Sequence, residues 1–208
     1  MEEINYEFKI ALIGSSNAGK SSLINRYANN KFENLISTIG VNTTNKDINI
    51  IVKKKKILKK INVTLKISDT AGQERFRCLA PTYIKNADCI VFVIDLFSQK
   101  DYDQFNFWLN EINENQQTNC INIFCGTKID LINSQKRVYD INFFDKFIKN
   151  KKGYYFETSS KLNTGINEMF YFIAEQCYYL FHEDILKKKK NQQIKQLSNN
   201  NNKGKIIC

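Results

Sequence analysis

Short continuous apolar runs alternate along this chain with stretches whose apolar residues recur every three to four positions. Phe8, Ile10, Ala11, Leu12 and Ile13 mark a first strand over about 7–13, and the run from Ser22 to Tyr27 suits a helix over about 20–30. A second strand is expected through 47–52, interrupted by the lysine run 53–60, which reads as a solvated charged loop or, more sharply, as a contact to anionic lipid or an acidic partner. Ile61, Val63, Leu65 and Ile67 alternate with polar residues, as in a half-buried strand. The unbroken run 90–94 suits a buried parallel strand. Phe105, Trp108, Leu109 and Ile112 then fall at helical spacing, and 120–125 makes another short buried strand. Ile141, Phe144, Phe147 and Ile148 share one face of a helix near 140–150, and 154–156 makes the last strand. A final helix over about 164–182 presents Ile166, Met169, Phe170, Ile173, Ala174 and Cys177 as one stripe, with His182 at its exposed end. This alternation predicts an α/β fold, a mostly parallel sheet with helices on both faces. The periodicity stops near 186. The expected division is therefore a domain over 1–185 and a disordered Lys/Asn-rich tail over 186–208.

Composition narrows the class. The chain has 208 residues, 42% of them hydrophobic, enough for one full core. No apolar stretch approaches the ~20 residues of a spanning helix. Met1-Glu2-Glu3 begins no basic-then-apolar signal pattern, so secretion is not expected. The cysteines at 78, 89, 120, 125, 177 and 208 show neither C-x-x-C nor framework spacing; the first five lie in or beside apolar segments and read as reduced thiols of a cytosolic protein. Net charge is +10, but seven Lys and no acid lie in 186–208 and six Lys in 53–60, which leaves the remaining body at −3. A mildly acidic body with two basic attachments does not suit nucleic acid, which calls for Lys and Arg spread over one face.

One stretch carries specific chemistry. Gly14-Ser15-Ser16-Asn17-Ala18-Gly19-Lys20-Ser21 fits G-x-x-x-x-G-K-[S/T] between a strand and a helix. The glycines allow a tight loop whose backbone N–H groups face phosphate oxygens, and the helix N-terminus adds its positive end. Lys20 then reaches the β and γ phosphates and the Ser21 hydroxyl is a Mg²⁺ ligand. Other polar breaks end later strands: Asp69-Thr70-Ala71-Gly72-Gln73, Thr127-Lys128-Ile129-Asp130 and Glu157-Thr158-Ser159-Ser160-Lys161. Strand ends are where open α/β sheets bind ligands.

Together with Ser37-Thr38-Ile39-Gly40-Val41 and the continuation Gln73-Glu74-Arg75-Phe76, these motifs resemble the small GTPases of the Ras superfamily, the Rab branch closest, over about 7–181. The resemblance implies a P-loop G domain with a six-stranded sheet that binds and hydrolyses GTP with Mg²⁺. It implies nucleotide contacts from Ser16, Asn17, Ala18, Gly19, Lys20, Ser21 and Ser22. Ser21, Thr38 and Asp69 serve the metal, the last usually through water. Gly72 senses the γ phosphate, and Gln73 orients the attacking water. Asp130 accepts two hydrogen bonds from guanine. Lys128 packs over the base with Phe32 on its other side, and Ser159, Ser160, Lys161 and Thr127 complete the base site. The loops at about 32–44 and 69–84 would be ordered by the γ phosphate and Mg²⁺, and would meet exchange factors, GTPase-activating proteins and effectors. Arg75 and Arg77 lie beyond the glutamine, so intrinsic turnover is expected to be slow, with ~10³–10⁵-fold acceleration by an activating protein.

The chain also departs from the Rab pattern. Asn42-Thr43 replaces the usual Asp-Phe, Ser68 the usual Trp, and only Tyr83 survives of three effector-shaping aromatics. Thr127 stands where Asn is commonest, as in the Rho branch. Residues 79–81 look early-endosomal and 81–84 look Golgi-like. The interval from Phe32 to Thr38 is one residue short, and that from Thr38 to Asp69 about eight long. A prenyl group on Cys208, delivered by an escort or GDI-type chaperone, would act with the basic tail on an anionic membrane. The expectation is a monomeric, cytoplasmic switch held peripherally on Golgi, endosomal or vesicle membranes. A Ras- or Rho-like signalling GTPase and a GTP-binding adaptor that hardly hydrolyses are the alternatives.

Overall fold

In the computed structural model, residues 5–33, 41–54, 57–70, 80–139, 143–145, 148 and 153–203 are described. The strands are β1 (Tyr6–Ile13), β2 (Val41–Lys54), β3 (Ile57–Thr70), β4 (Cys89–Asp95), β5 (Ile121–Thr127) and β6 (Tyr154–Glu157). The helices are α1 (Lys20–Asn29), α2 (Ala80–Lys85), α3 (Gln99–Asn115) and α4 (Ile166–Lys203). The strands form one sheet in the order β2-β3-β1-β4-β5-β6, antiparallel only at β2–β3. From β1 the chain goes to one side for β2 and β3, then to the other for β4 to β6. That reversal opens a crevice at the carboxyl ends of the parallel strands.

Both sheet faces are covered, as the alternating pattern requires. Leu12, Leu65, Val91 and Ile123 pack under α1 and α4 through Leu23, Tyr27, Phe170 and Ile173. Ile13, Ile90, Phe92 and Phe124 pack under α3 through Phe105 and Trp108, joined by Ile84 of α2. Ser98 caps α3 by accepting from Asp101 N at 3.2 Å. Cys89, Cys125 and Cys177 are buried and Cys120 is half-buried, all unbridged. Burial pushes the thiols up, Cys120 and Cys125 to about 12, which keeps them protonated and inert.

Four expectations change. The lysine run is not a loop. β2 and β3 pair without interruption from Val41↔Thr70 to Lys54↔Ile57, so only residues 55 and 56 lie between the strands. Backbone hydrogen bonding extends the ladder even where no side chain is buried. Second, α4 does not stop near 182, and 186–203, expected to be disordered, are helical. The stretch 183–203 has no Gly or Pro, its first half is rich in Lys and Gln, and extending an existing helix needs no new nucleus, which offsets the weaker propensity of the asparagines at 199–202. Third, the loops around the site are shorter than expected, because 41–44 belong to β2, 69–70 to β3 and 80–84 to α2. Fourth, His182 is half-buried within α4, 2.7 Å from Tyr6 Oη through Nδ1. Most of the helix expected near 140–150 lies outside the described residues, but Phe144 is fully buried against Tyr155.

Candidate functional site

The loop after β1 is shaped by its glycines. Gly14 has φ +141, and a Cβ there would meet Val93 O at 2.2 Å. Gly19 takes φ +101 as the residue before α1, and Asn17 also lies in the left-handed region at φ 66. Ala18 is buried, Ser16 and Ser22 are half-buried and Asn17 is exposed. The helix α1 has neither a side-chain cap nor an acid in its first turn, so no carboxylate of that turn competes with an anion for its N–H groups and positive end. Ser15 is buried and donates from Oγ to Gln104 Oε1 of α3 at 3.0 Å.

Lys20 folds back under this loop. Its Nζ donates to Gly14 O at 2.9 Å and Ser15 O at 2.7 Å, and the residue is only 5% exposed. Burial lowers its pKa to about 8, although Asp69 and Asp101 oppose the shift. A lysine with a depressed folded pKa destabilises the charged fold. The unfolded chain holds more protons between about 8 and the ordinary lysine value, so this group alone makes stability rise with pH there. A phosphate ligand needs the ammonium, which reverses the dependence for binding. Affinity for a nucleotide should hold from pH 6.5 to 7.5 and fall toward tenfold per unit above about pH 8. Titration with a fluorescent nucleotide across that range checks this; a flat profile would contradict it.

Beside Lys20, Ser21 Oγ donates to Asp69 Oδ2 at 2.6 Å. Asp69 is buried near the end of β3, opposite Leu12 of β1. The neighbouring Thr70 Oγ1 donates to Leu12 O at 2.7 Å and anchors the strand end. A hydroxyl and one carboxylate are hard oxygen donors. This set fits Mg²⁺, which takes few protein ligands when phosphates and water supply the rest.

The ends of β5 and β6 form the other half. Thr127 Oγ1 donates to Ala18 O at 2.6 Å, with Ile94 O 3.1 Å away, and so ties β5 to the phosphate loop. Lys128 has φ 65, and its Nζ pairs with Asp95 Oδ2 at 2.7 Å. Asp95 N in turn donates to Asp101 Oδ2 at 2.9 Å. Burial raises the Asp101 pKa. Asp130, in the 3-10 turn Ile129–Leu131, accepts at Oδ1 from Ser159 Oγ at 2.6 Å, and Ser159 is fully buried. Arg26 of α1 donates from Nε to Ser160 O at 2.7 Å and from Nη2 to Lys161 O at 3.4 Å. The carboxyl ends of the sheet thus carry Lys20, Ser21 and Asp69 as one group and Lys128, Asp130, Ser159 and Ser160 as another, linked by the Thr127–Ala18 and Arg26–Ser160 bonds.

Phe32 is described and 46% exposed. Thr38, Gly72, Gln73 and Cys208 lie outside the described residues. Sequence reading missed Gln104, Asp95 and Arg26. Only the position of Arg26 in the last turn of a phosphate-loop helix hinted at a role. Besides Asn30, four residues on, its partners at Ser160 and Lys161 are more than a hundred residues away, so no local pattern reveals them.

The model of the Ras family matches residues 9–179. Ras-related protein RabJ of Dictyostelium discoideum is 36% identical over 185 residues, covering 88% of this chain and 68% of the relative. GTP-binding protein YPT1 of Saccharomyces cerevisiae is 34% identical over 175 residues, covering 84% and 80%. Ras-related protein Rab-1 of Theileria annulata is 35% identical over 177 residues, covering 84% and 76%.

Proposed function

The chain belongs to the Ras family of small GTPases and within it to the Rab group, whose general role is vesicle traffic; from that membership we propose that it binds and hydrolyses GTP as a timed membrane switch. One observation carries the reading. The buried Lys20, the Ser21–Asp69 oxygen pair and the Asp130–Ser159 pair all lie at or just beyond the carboxyl ends of neighbouring strands, with Thr127 bonded to the phosphate loop at Ala18.

Lys20 and the amides of residues 16–22 bind the phosphates. Ser21 and Asp69, with Thr38 in the GTP state, hold Mg²⁺. The ion held by these residues would supply positive charge to offset the negative charge that develops on the phosphate oxygens. Gly72 offers its N–H to the γ phosphate. Gln73 orients the water that attacks the γ phosphorus as the bond to the β–γ bridging oxygen breaks. Asp130 accepts from guanine N1–H and the exocyclic amine. Adenine inverts part of that pattern and leaves a carboxylate unpaired, which penalises ATP. Lys128, held by Asp95, lies along the base with Phe32 on its other face, and Ser160 and Lys161 meet its carbonyl oxygen.

Residues 32–44 and 69–84 are the surfaces for exchange factor, activating protein and effectors. Asn42, Thr43 and Ser68 make the effectors unusual ones. The segment 186–208, with Cys208 prenylated and carried by an escort chaperone, targets Golgi, endosomal or vesicle membranes. No helix among the described residues is long and apolar enough to cross a membrane.

The competing reading is a GTP-binding adaptor with negligible hydrolysis. A single-turnover assay of wild type against Gln73→Leu separates the two. The wild type should hydrolyse bound GTP slowly, and Gln73→Leu at least about tenfold more slowly, because leucine offers no hydrogen bond to orient the attacking water. Equal rates would remove the switch mechanism.

A further inference from the structure

The two basic attachments emerge from the same end of the molecule, the end away from the nucleotide crevice. Tyr6, the first residue of β1, pairs with Val63 of β3. Residues 57–62 therefore run past the start of β1, and at ~3.3 Å per residue the hairpin projects ~20 Å beyond it. At that level α4 passes Tyr6, whose Oη lies 2.7 Å from His182 Nδ1. The helix then continues for ~30 Å at ~1.5 Å per residue to Lys203. Lys188 is near enough to Asp88, in the turn before β4, to favour the charged form of a carboxyl that burial otherwise raises. Lys187, Lys188 and Lys190 are exposed.

The hairpin tip has an unusual surface. No acid occurs from 48 to 62, while lysine occupies 53–56, 59 and 60. Lys53, Lys59 and Lys60 are exposed. Between them stand aliphatic side chains in water: Ile57 is 73% exposed, Leu58 69% and Ile51 57%. By register, Ile51 and Lys53 share one face with Lys60 and Leu58, while Ile57 and Lys59 lie on the other. Each face of the tip therefore mixes apolar and cationic groups. A solvated loop does not need this arrangement, and an exposed edge normally avoids large aliphatics.

We propose that this β2–β3 tip docks on an anionic lipid bilayer, Ile57 and Leu58 entering the headgroup level and the lysines meeting lipid charge, in concert with the lysines that begin the outer half of α4. Charge complementarity selects the occupant. Neither 48–62 nor 183–208 contains an arginine, the residue suited to bidentate carboxylate or phosphate recognition on a protein or nucleic acid. Lysines interleaved with aliphatics, with no fixed fork geometry, suit a diffuse negative surface with an apolar interior. The hairpin thereby supplies a contact that is separate from the tail and orients the crevice away from the membrane. The inference rests on the membrane part of the proposed function and not on hydrolysis.

The test uses the full chain without lipid modification and vesicles of phosphatidylcholine, with or without phosphatidylserine. Wild type should bind the phosphatidylserine vesicles in a salt-sensitive way and bind the neutral ones weakly. Lys53→Gln, Lys59→Gln and Lys60→Gln combined should lower partitioning about 100-fold, near fivefold per lysine. Ile57→Ser with Leu58→Ser should lower it at higher salt, where charge is screened. Nucleotide affinity should be unchanged in both variants, which shows that they are folded. Binding by both hairpin variants equal to wild type would overturn the proposal, even if Lys187→Gln, Lys188→Gln and Lys190→Gln abolished binding. Capture of wild type by poly-glutamate but not by phosphatidylserine vesicles would overturn it in favour of an acidic protein partner. Any of these failures leaves the GTPase reading intact, because that reading is judged by hydrolysis.

Discussion

Lys20→Met should lower affinity for GTP by about 10³-fold, and for GDP, which lacks the γ phosphate, by less, without unfolding the protein. The ammonium sits between two loop carbonyls, Gly14 O and Ser15 O, and is only 5% exposed. In the nucleotide complex it would donate to the β and γ phosphates. Two charge-assisted hydrogen bonds, at ~1.5–3 kcal/mol each, amount to about 4 kcal/mol, or three decades in the dissociation constant. Methionine has a similar length and leaves no cavity. Burial already lowers the lysine pKa to about 8, so the charge strains the empty fold, and its removal should not reduce the melting temperature of the nucleotide-free protein. Calorimetric titration and a thermal melt together check both halves. Retained tight binding would mean that the amides of the loop alone hold the phosphates.

Asp130→Asn should lower GTP affinity by about 10²–10³-fold and erase the preference for GTP over ITP, with one carboxylate bond of ~1.5–3 kcal/mol lost and a second donor left facing the base. Inosine lacks the exocyclic amine, so wild type loses one of its two hydrogen bonds on going from GTP to ITP. The asparagine oxygen can still accept from Ser159 Oγ, which holds the position at 2.6 Å, so the turn should keep its geometry. Its NH₂ then faces a donor edge. Competition binding with GTP, ITP and ATP measures the effect. An unchanged GTP-to-ITP ratio would place the base elsewhere.

Much of this architecture was legible because its signals are local. The strands β4 and β5 are buried on both faces and therefore read as short apolar runs, 90–94 unbroken and 120–125 interrupted only by Asn122. The stripe from Ile166 to Cys177 gave α4 its core-facing half, since every one of those residues is fully buried. The phosphate loop was legible for a different reason: Gly14 and Gly19 occupy backbone angles that side chains resist, and that requirement is written into residue identity. The limits of β2, β3 and α4 were not legible. Apolar periodicity reports burial, and these elements continue past the core, where backbone pairing and helix propensity sustain them without burial.

The sequence by itself determined the α/β class, the order of the elements, the phosphate loop and the polar strand ends that make up the crevice. These depend on periods of two and 3.6 and on a few residues with special backbone freedom, all confined to short windows. Only the tertiary structure decided that Arg26 braces the backbone at 160–161, that Thr127 bonds the loop at Ala18, and that Lys128 is paired with Asp95. It also brought the hairpin lysines and the start of the outer half of α4 to one end of the sheet. Those partners are separated by 33 to 135 positions, and their proximity follows from strand order and helix direction, which no local window contains.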